Sequence, residues 1–315
     1  MTQTQAALDL IEKIRRNLAK SLIGKRETID LALITLACGG HLLIEDAPGL
    51  GKTTLARSLA GSAGCSFARI QFTPDVLPSD ITGYTAIDLK TGEKLVRHGV
   101  LMHQMVLADE INRTSPKTQS SLLEAMQEGQ VTIDGDTYPL PKPFMVIATQ
   151  NPVESTGTYP LPEAQLDRFF MRVSLGYPDR SDELTILESR RGGTALPEEP
   201  VATAEDIVNL QEKAKGVGCS RAVMQYIVDI ASATRKHDKL TLGVSPRGSL
   251  ALMHAAMAHA LFDGRDYTLP DDVKVMVIPV LAHRLMVRLS AGERDRTAEA
   301  VLSQIVRTTQ VPILP

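Results

Sequence analysis

Residues Ala47-Pro48-Gly49-Leu50-Gly51-Lys52-Thr53-Thr54 decide how the first half of this chain folds. They directly follow the apolar run 42–44, which is typical of a buried strand. Gly49 and Gly51 allow the backbone N–H groups to turn inward and approach an anion closely. A helix predicted over residues 53–63 presents the positive end of its dipole to the same anion. The stretch therefore predicts a strand, a loop that cradles phosphate groups, and a helix.

Two side chains of this loop indicate nucleotide chemistry. Lys52 can reach the outer phosphates of a nucleotide as a point charge, and the Thr53 hydroxyl can ligate Mg²⁺. The usual pattern G-x-x-x-x-G-K-[ST] has glycine at the position of Asp46, so the strict motif is not met. Aspartate tolerates unusual backbone angles, but a carboxylate near phosphates carries a mild electrostatic cost. The alternative is a Gly-rich strand-to-helix turn with an incidental lysine.

The composition is that of a globular protein with a full core. A length of 315 residues is enough for two domains or one large one, and 43% hydrophobic residues supply the core. The formal charge of −3 argues against a constitutive nucleic-acid binder, although a local basic pore is compatible with it. The N-terminus lacks a charged-then-apolar signal and no apolar run approaches 18 residues. We therefore expect no membrane segment and a cytoplasmic location.

Strand-like apolar runs alternate with helical patterns up to about residue 175. The strand candidates are 42–45, 67–72, 104–108, 144–149 and 170–175. An amphipathic helix precedes them, and a further helix is predicted over 117–127. This alternation predicts an α/β fold, a parallel five-stranded sheet between helices, with functional loops at the C-terminal ends of the strands.

Beyond residue 178 the pattern becomes helical. A capping-box start lies near residue 203, and further helices are predicted over 221–236, 246–262, 270–287 and 297–307. Pro279 is expected to bend the third of these four. We therefore expect a nucleotide-binding α/β domain over residues 1–177, including the N-terminal helix, and an all-helical domain over residues 178–315.

Two carboxylates follow the third strand candidate. Asp109 and Glu110 come directly after the apolar run 105–108, at the sheet edge where the phosphate loop lies. Asp109 is suited to hold Mg²⁺ through water, and Glu110 to orient and deprotonate an attacking water. The alternative is a solvated acidic turn. A spare carboxylate favours hydrolysis over phosphoryl transfer to another acceptor.

The next two candidates follow the fourth strand and precede the fifth. Asn151 is placed to hydrogen-bond the γ-phosphate or the lytic water, with a turn-forming Asn-Pro pair as the alternative. Arg168 ends a short helix and could act as an arginine finger on the nucleotide of a neighbouring subunit. Alternatively Arg168 pairs with Asp167 or another local carboxylate, and Arg172 is the rival finger.

Arg247 is a candidate on independent grounds. Ser245 and Pro246 define a helix start, and Arg247 at the second position opposes the helix dipole. A compensating anion is therefore expected, either a nucleotide phosphate or a neighbouring Asp or Glu.

Two turn-centred excursions precede the active strands. Residues 131–138 alternate around Asp134-Gly135, a strong hairpin signal, and residues 87–99 form a second excursion. Both are candidate substrate-contacting loops, and plain surface hairpins are the alternative.

Taken together, these residues resemble the MoxR family of AAA+ ATPases over essentially the whole chain. The runs 107–113, 123–128 and 146–152 are particularly MoxR-like, and an acidic residue at the Asp46 position is familiar in that family. The loop 49–53 looks like its Walker A motif, and the two excursions correspond to its helix-2 insert and pre-sensor hairpin. Ile23 and Gly24 lie in a segment similar to the family's adenine-contacting segment.

The resemblance implies ATP and Mg²⁺ as cofactors, and it assigns roles to the candidates above. Asp109 and Glu110 match the Walker B pair. The implied catalytic residues are Glu110, Asn151 as first sensor, Arg168 as arginine finger and Arg247 as second sensor on the lid. The implied cofactor-binding residues are Ile23, Gly24, Pro48, Gly49, Leu50, Gly51, Lys52, Thr53 and Thr54. The implied metal-binding residues are Thr53 and Asp109.

The resemblance also implies a hexameric ring in which hydrolysis moves the lid and the loops. MoxR-like proteins are thought to mature or activate partner proteins, often partners with von Willebrand factor A domains, sometimes by aiding metal or cofactor insertion. A nucleic-acid motor on the same core is one alternative, and the acidic balance counts against it. A small-molecule kinase is another, and it leaves Glu110 without a water to activate.

Overall fold

The computed structural model describes residues 3–152, 157–191, 199–288 and 297–313. In chain order its strands are β1 (Leu42–Glu45), β2 (Phe67–Gln71), β3 (Gly83–Ile87), β4 (Lys94–His98), β5 (Met105–Asp109), β6 (Gln130–Ile133), β7 (Asp136–Pro139), β8 (Met145–Gln150), β9 (Met171–Val173), β10 (Leu240–Leu242) and β11 (Met286–Val287). Its α-helices are α1 (Gln3–Ala19), α2 (Arg26–Ala37), α3 (Lys52–Ser62), α4 (Pro78–Thr82), α5 (Pro116–Glu128), α6 (Glu163–Leu166), α7 (Arg180–Arg190), α8 (Ala204–Lys215), α9 (Arg221–Lys236), α10 (Pro246–Phe262), α11 (Pro270–Leu281) and α12 (Ala298–Thr308).

Five strands form the central sheet in the order β2-β5-β8-β1-β9, and every neighbouring pair is parallel. The predicted α/β fold with a five-stranded parallel sheet is therefore confirmed. Strand β9 is shorter than the predicted run 170–175. It ends at Val173 because residues 174–176 turn away from the sheet to donate hydrogen bonds to Asp46.

The three central strands β1, β5 and β8 are buried on both faces, and alternate residues of each enter different cores. Leu42 and Ile44 of β1 belong to a core that includes residues of α1, α2 and α3. Leu43, between them, belongs to a second core with residues of α4 and α5. Burial on two sides explains why the strands read as continuous apolar runs.

The helical region shares the first of these cores. Buried side chains of α8 to α12, among them Leu210, Leu252 and Val277, are continuous with those of α1 and β1. A short antiparallel pair, β10 with β11, lies within this region and was not predicted, since two or three residues are too few to show a period. Helix α11 contains Pro279 but ends at Leu281, earlier than the predicted residue 287. Among the described residues, no helix has the length and apolar character needed to cross a membrane.

The predicted excursion 131–138 is the hairpin β6–β7, and the excursion 87–99 is the turn and second strand of the hairpin β3–β4, which begins earlier, at Gly83. Asp134 and Gly135 have φ values of 49° and 99°. Positive φ at both central residues is typical of the type I′ turn that Asp-Gly favours. The Thr85 N–H donates to Asp134 Oδ2 at 3.0 Å, so the two hairpins contact each other. Leu89, beyond the end of β3, is 98% exposed, so its apolar side chain is accessible from solvent.

His41 is buried where β1, β8 and α5 meet. The Val146 N–H donates to its Nδ1 at 3.0 Å, and its Nε2 lies 3.1 Å from the Met126 carbonyl oxygen. A ring that accepts at Nδ1 and donates at Nε2 is neutral. Burial accordingly lowers the pKa of His41 to about 4.

We expect His41 to make the fold less stable as the pH falls. Because its folded pKa lies below the unfolded value, the unfolded chain binds the extra proton first. The stabilisation is complete above about pH 6.5 and declines towards pH 4, by about 3 kcal/mol in total. Urea unfolding at pH 7.5, 6.0 and 5.0 measures this decline. It should be smaller in His41→Gln, which still contains His283, whose pKa is also lowered by burial.

The matched control for this prediction is His98→Gln, because His98 is an exposed histidine of β4. The control should keep the wild-type dependence on pH. Equal slopes for the wild type and His41→Gln would contradict the assignment of a buried neutral ring.

Candidate nucleotide-binding and hydrolytic site

The loop between β1 and α3 has the backbone conformation that the sequence predicts for a phosphate cradle. Gly49 and Gly51 have φ values of 84° and 96°, in the left-handed region that favours glycine. A methyl group on Gly49 would meet no atom within 4 Å, so the loop is open above this residue. Lys52 begins α3, and its Nζ donates to the Asp46 carbonyl oxygen at 2.7 Å.

Asp46 does not fulfil the expectation of an electrostatic cost at the phosphates. Its carboxylate accepts hydrogen bonds from residues 174–176, which follow β9, the strand that pairs with β1. Among the described non-glycine residues, positive φ occurs at Glu110 and Asp134, so Asp46 needs no unusual backbone angle. The departure from the glycine pattern therefore neither strains the loop nor directs a negative charge into it.

The other predicted cofactor-binding residues adjoin this loop. Thr53 and Thr54 lie in the first turn of α3, and Pro48 and Leu50 lie within the loop. A methyl group on Gly51 would lie 3.8 Å from Leu22, the residue that precedes the predicted segment Ile23-Gly24. The segment therefore begins next to the phosphate loop.

Asp109 ends β5 as a buried carboxylate with two partners. Its Oδ1 accepts from the Thr149 hydroxyl at 2.6 Å, and its Oδ2 accepts from the Arg69 guanidinium at 2.7 Å. The Thr149 Oγ1 also accepts from the Glu110 N–H at 2.9 Å. One buried hydroxyl on β8 therefore fixes the positions of both acidic residues.

Glu110 has a strained backbone, with φ 55° and ψ 51°. A non-glycine residue in this region costs free energy and is found preferentially at functional sites. Its carboxylate accepts from Gln71 Nε2 at 2.7 Å and from Arg113 Nη1 at 3.0 Å. These bonds hold the side chain at the edge of the sheet beside Asp109.

Four residues of this acidic edge were not predicted from the sequence, namely Arg69, Gln71, Arg113 and Thr149. Residues 69 and 71 lie on one face of β2, because side chains two apart in a strand share a face. In the parallel register of β2 with β5, Gln71 lies opposite Asp109. The polar residues within β2 were the available signal, but only the strand order shows that they face the acidic pair.

Asn151 follows β8, which lies between β1 and β5 in the sheet. This order places the buried Asn151 between the phosphate loop, which follows β1, and the acidic pair, which follows β5. The three strand ends thus bring a cation, two carboxylates and an amide to one edge of the sheet.

The two rival arginines differ in their partners. Arg172 on β9 pairs with Glu45 at 2.8 Å and with Glu299 of α12, so its charge is neutralised within its own chain. Arg168, just after α6, is half-buried, and its guanidinium has no ion-pair or hydrogen-bond partner among the described residues. The alternative in which Arg168 pairs with Asp167 does not hold, because Asp167 binds Arg284 at 2.8 Å.

Asp167 connects the segment that carries Arg168 to the helical region. Arg284 is buried, and besides Asp167 it donates to the Phe169 and Phe170 carbonyl oxygens at 2.7 and 3.2 Å. The Ser245 hydroxyl, which caps α10, donates to the other Asp167 oxygen at 3.1 Å. Burial lowers the pKa of Arg284, and the Asp167 carboxylate opposes that shift.

Arg247 lies at the second position of α10, as predicted. It is exposed, and among the described residues no carboxylate pairs with it. The proposed neighbouring Asp or Glu is therefore not found in the part of the chain that the structure describes. Ser245 caps the helix that carries Arg247, and Asp167 precedes Arg168 in the sequence. The hydrogen bond between Ser245 and Asp167 therefore links the two segments that carry these arginines.

Comparison with known proteins agrees with this arrangement. Residues 41–171 match the ATPase family associated with various cellular activities (AAA), and residues 232–305 match the AAA lid domain. Chaperone MoxR1 of Mycobacterium tuberculosis is 38% identical over 316 residues, which cover 98% of this chain and 84% of that protein. The chain belongs to the MoxR family of AAA+ ATPases. The helical region that carries Arg247 is thus the lid of a MoxR-family ATPase.

Two further proteins share nearly the whole length of this MoxR-family chain. The uncharacterized protein YeaC of Bacillus subtilis is 48% identical over 305 residues, which cover 96% of this chain and 95% of YeaC. A crystal structure from Cytophaga hutchinsonii, provisionally assigned as an ATPase, is 36% identical with a TM-score of 0.91. That comparison covers 98% of this chain and 97% of the other, so the sheet and the lid are both shared.

We expect Thr149→Val to damage the acidic pair while preserving the side-chain shape. The change removes the hydroxyl that Asp109 and the Glu110 N–H share, and it leaves both buried groups short of a partner. The free energy of unfolding should fall by about 1–3 kcal/mol. ATP turnover should fall about tenfold, because Glu110 loses its backbone anchor.

Urea unfolding and steady-state phosphate release measure the two effects. Thr132→Val is the matched control, since Thr132 is exposed on β6 and lies outside the site. Wild-type turnover in Thr149→Val would contradict the anchoring role of the hydroxyl.

Proposed function

We propose that this MoxR-family protein hydrolyses ATP at the edge formed by β1, β8 and β5. The observation that carries the proposal is the strained Glu110 beside the buried Asp109, both fixed by Thr149 next to an open phosphate loop. A carboxylate on a strained backbone next to a phosphate site is suited to act as a general base that receives a proton from water. Asn151 between the two loops is suited to orient that water or the γ-phosphate.

The residues present fit ATP and Mg²⁺. The loop 47–54 offers open backbone N–H groups and Lys52 to phosphates, with Ile23 and Gly24 beside it for the base. The Thr53 hydroxyl and the Asp109 carboxylate are oxygen donors, which Mg²⁺ prefers. When bound, ATP supplies the phosphoanhydride bond and Mg²⁺ offsets the negative charge of its phosphates. Arg69 holds the Asp109 carboxylate in place beside this position.

The unpaired Arg168 supports a site that is completed by a neighbouring subunit. A half-buried guanidinium without a partner in the described part of its own chain is suited to neutralise charge on another subunit's nucleotide. AAA+ proteins are usually oligomeric, and we infer a hexameric ring with Arg168 as the finger. Arg247 serves the nucleotide from the lid, and the boundary between the two domains lies at residues 177 and 178.

The names of two relatives support a chaperone-like role. One relative is named chaperone MoxR1, and a protein named MoxR from Paracoccus denitrificans is 30% identical over 322 residues. We infer that hydrolysis here remodels, activates or matures a partner protein in the cytoplasm, including by metal or cofactor insertion. A protein with a von Willebrand factor A domain is the expected client. The exposed Leu89 and the paired hairpins are the surfaces best placed to contact it.

The roles of Lys52 and Glu110 can be separated by substitution. Lys52→Ala should abolish ATP binding, because the loop loses its cation. Glu110→Gln should bind ATP like the wild type but hydrolyse it at least about 100-fold more slowly, because an amide cannot take the proton. Fluorescent-nucleotide titration and phosphate release measure the two properties. Glu128→Gln, an exposed change at the end of α5, is the control.

The arginine finger can be tested by mixing subunits. Lys52→Ala and Arg168→Ala subunits should each be inactive alone. Random mixing in equal amounts restores about a quarter of the interfaces, because an intact loop then meets an intact finger. Turnover should recover in proportion. A lack of recovery in oligomers shown to be mixed would exclude a finger that acts between subunits.

A further inference from the structure

Asp46 contacts three parts of the site at once. Its N–H donates to the Gln150 carbonyl oxygen of β8 at 3.3 Å, and its own carbonyl oxygen accepts from Lys52 Nζ at 2.7 Å. Its carboxylate reaches a third element, residues 174–176, which follow β9. One buried residue therefore adjoins the phosphate lysine, the strand before Asn151, and the chain leading to the lid.

The contact with residues 174–176 is built from several donors. The carboxylate accepts from the Ser174 hydroxyl at 2.8 Å, from the Leu175 N–H, and from the Gly176 N–H at 3.4 Å. Hydrogen bonds to an ionised acceptor are stronger than those between neutral groups. Glycine, the residue of the usual pattern at position 46, has no side chain to make them.

The carbonyl groups of the same segment bind a cation. Lys25 Nζ donates to the Gly176 and Tyr177 carbonyl oxygens at 3.1 and 2.9 Å. Leu175 also adjoins the phosphate loop, since a methyl group on Gly51 would lie 3.7 Å from its side chain. We call residues 174–177 the lid root. The Asp46 carboxylate and the Lys25 ammonium thus hold it at the nucleotide site.

We propose that Asp46 is a positioning residue that ties the lid root to the phosphate loop and thereby couples nucleotide binding to the lid. When Lys52 turns to the phosphates it gives up its bond to the Asp46 carbonyl oxygen, so Asp46 changes a partner at the moment of binding. Because its carboxylate binds the lid root, a change at Asp46 alters the position of the lid root and thereby of the lid that carries Arg247. This inference rests on the proposed ATPase function.

The discriminating variant is Asp46→Gly, because it restores the strict G-x-x-x-x-G-K-T pattern. If residue 46 matters only for the phosphates, the variant should bind and hydrolyse ATP as well as the wild type or better. If Asp46 ties the lid root, ATP affinity should stay within about threefold while kcat falls about tenfold. Fluorescent-nucleotide titration and phosphate release measure the two quantities.

Hydrogen–deuterium exchange gives a direct readout of the tie. Without nucleotide, a peptide that covers the lid root should exchange about tenfold faster in Asp46→Gly, because the Leu175 and Gly176 amides lose their acceptor. In the wild type, ATP should change the exchange of that peptide, and in the variant this response should be lost.

Two variants control for a general loss of structure. Asp46→Asn keeps one acceptor oxygen and should fall between Asp46→Gly and the wild type. Ser174→Ala removes one of the three donors and leaves both backbone N–H bonds, so its kcat should fall less than that of Asp46→Gly. Thermal melting of each variant checks the fold, and Asp46→Asn carries the test if Asp46→Gly does not fold.

Two results would overturn the inference. One is unchanged kcat and unchanged lid-root exchange in Asp46→Gly. The other is a loss of ATP affinity beyond about threefold in that variant, because Asp46 would then hold the phosphate loop itself and not the lid root. A wild type that does not hydrolyse ATP would reject the proposed function instead, and the nucleotide-free exchange comparison would still decide whether Asp46 holds the lid root.

Discussion

The parallel pairing of β1, β8 and β5 is the constraint on which the site depends. Leu42 of β1 and Leu107 of β5 both lie opposite Ile147 of the strand between them. Because the three strands run in one direction, the groups that follow them meet at a single edge. The strands are buried on both faces, so a shift of one residue would exchange the two cores. The burial of apolar side chains therefore sets the positions of the phosphate loop, the acidic pair and Asn151.

Around this edge most charges already have partners in the described chain. Asp109 pairs with Arg69, and Glu110 with Arg113. Burying an ion is costly unless it is paired, which explains why Arg284 and Asp167 lie together between the sheet and the lid. Within the described residues, Arg168 and Arg247 lack such partners. Arg168 follows Asp167, and Arg247 lies two residues after Ser245, which binds Asp167, so two cations near this carboxylate are available to anionic ligands.

Local patterns predicted much of this arrangement because their causes are local. Asp-Gly at 134–135 favours a type I′ turn wherever it occurs, and Ser245 caps α10 through its own third neighbour, Gly248. The predictions were weakest where a distant contact ends or creates an element. Strand β9 ends early because the residues that follow it donate hydrogen bonds to Asp46. Strands β10 and β11 pair although more than forty residues separate them in the sequence. Helix α7 was not predicted, and its apolar Leu184 and Leu187 are exposed.

The five strands, the phosphate loop, the acidic pair and the helical second half are all readable from local patterns, because periodicity and glycine conformations act within a few residues. The pairing of the charges depends instead on how distant elements pack. Asp167 adjoins Arg168 in the sequence but binds Arg284, 117 residues away, and Asp46 binds Leu175, 129 residues away. Such pairs depend on where separate elements pack, and no spacing along the chain encodes them. Only the folded chain therefore shows why an aspartate occupies the glycine position of the phosphate loop.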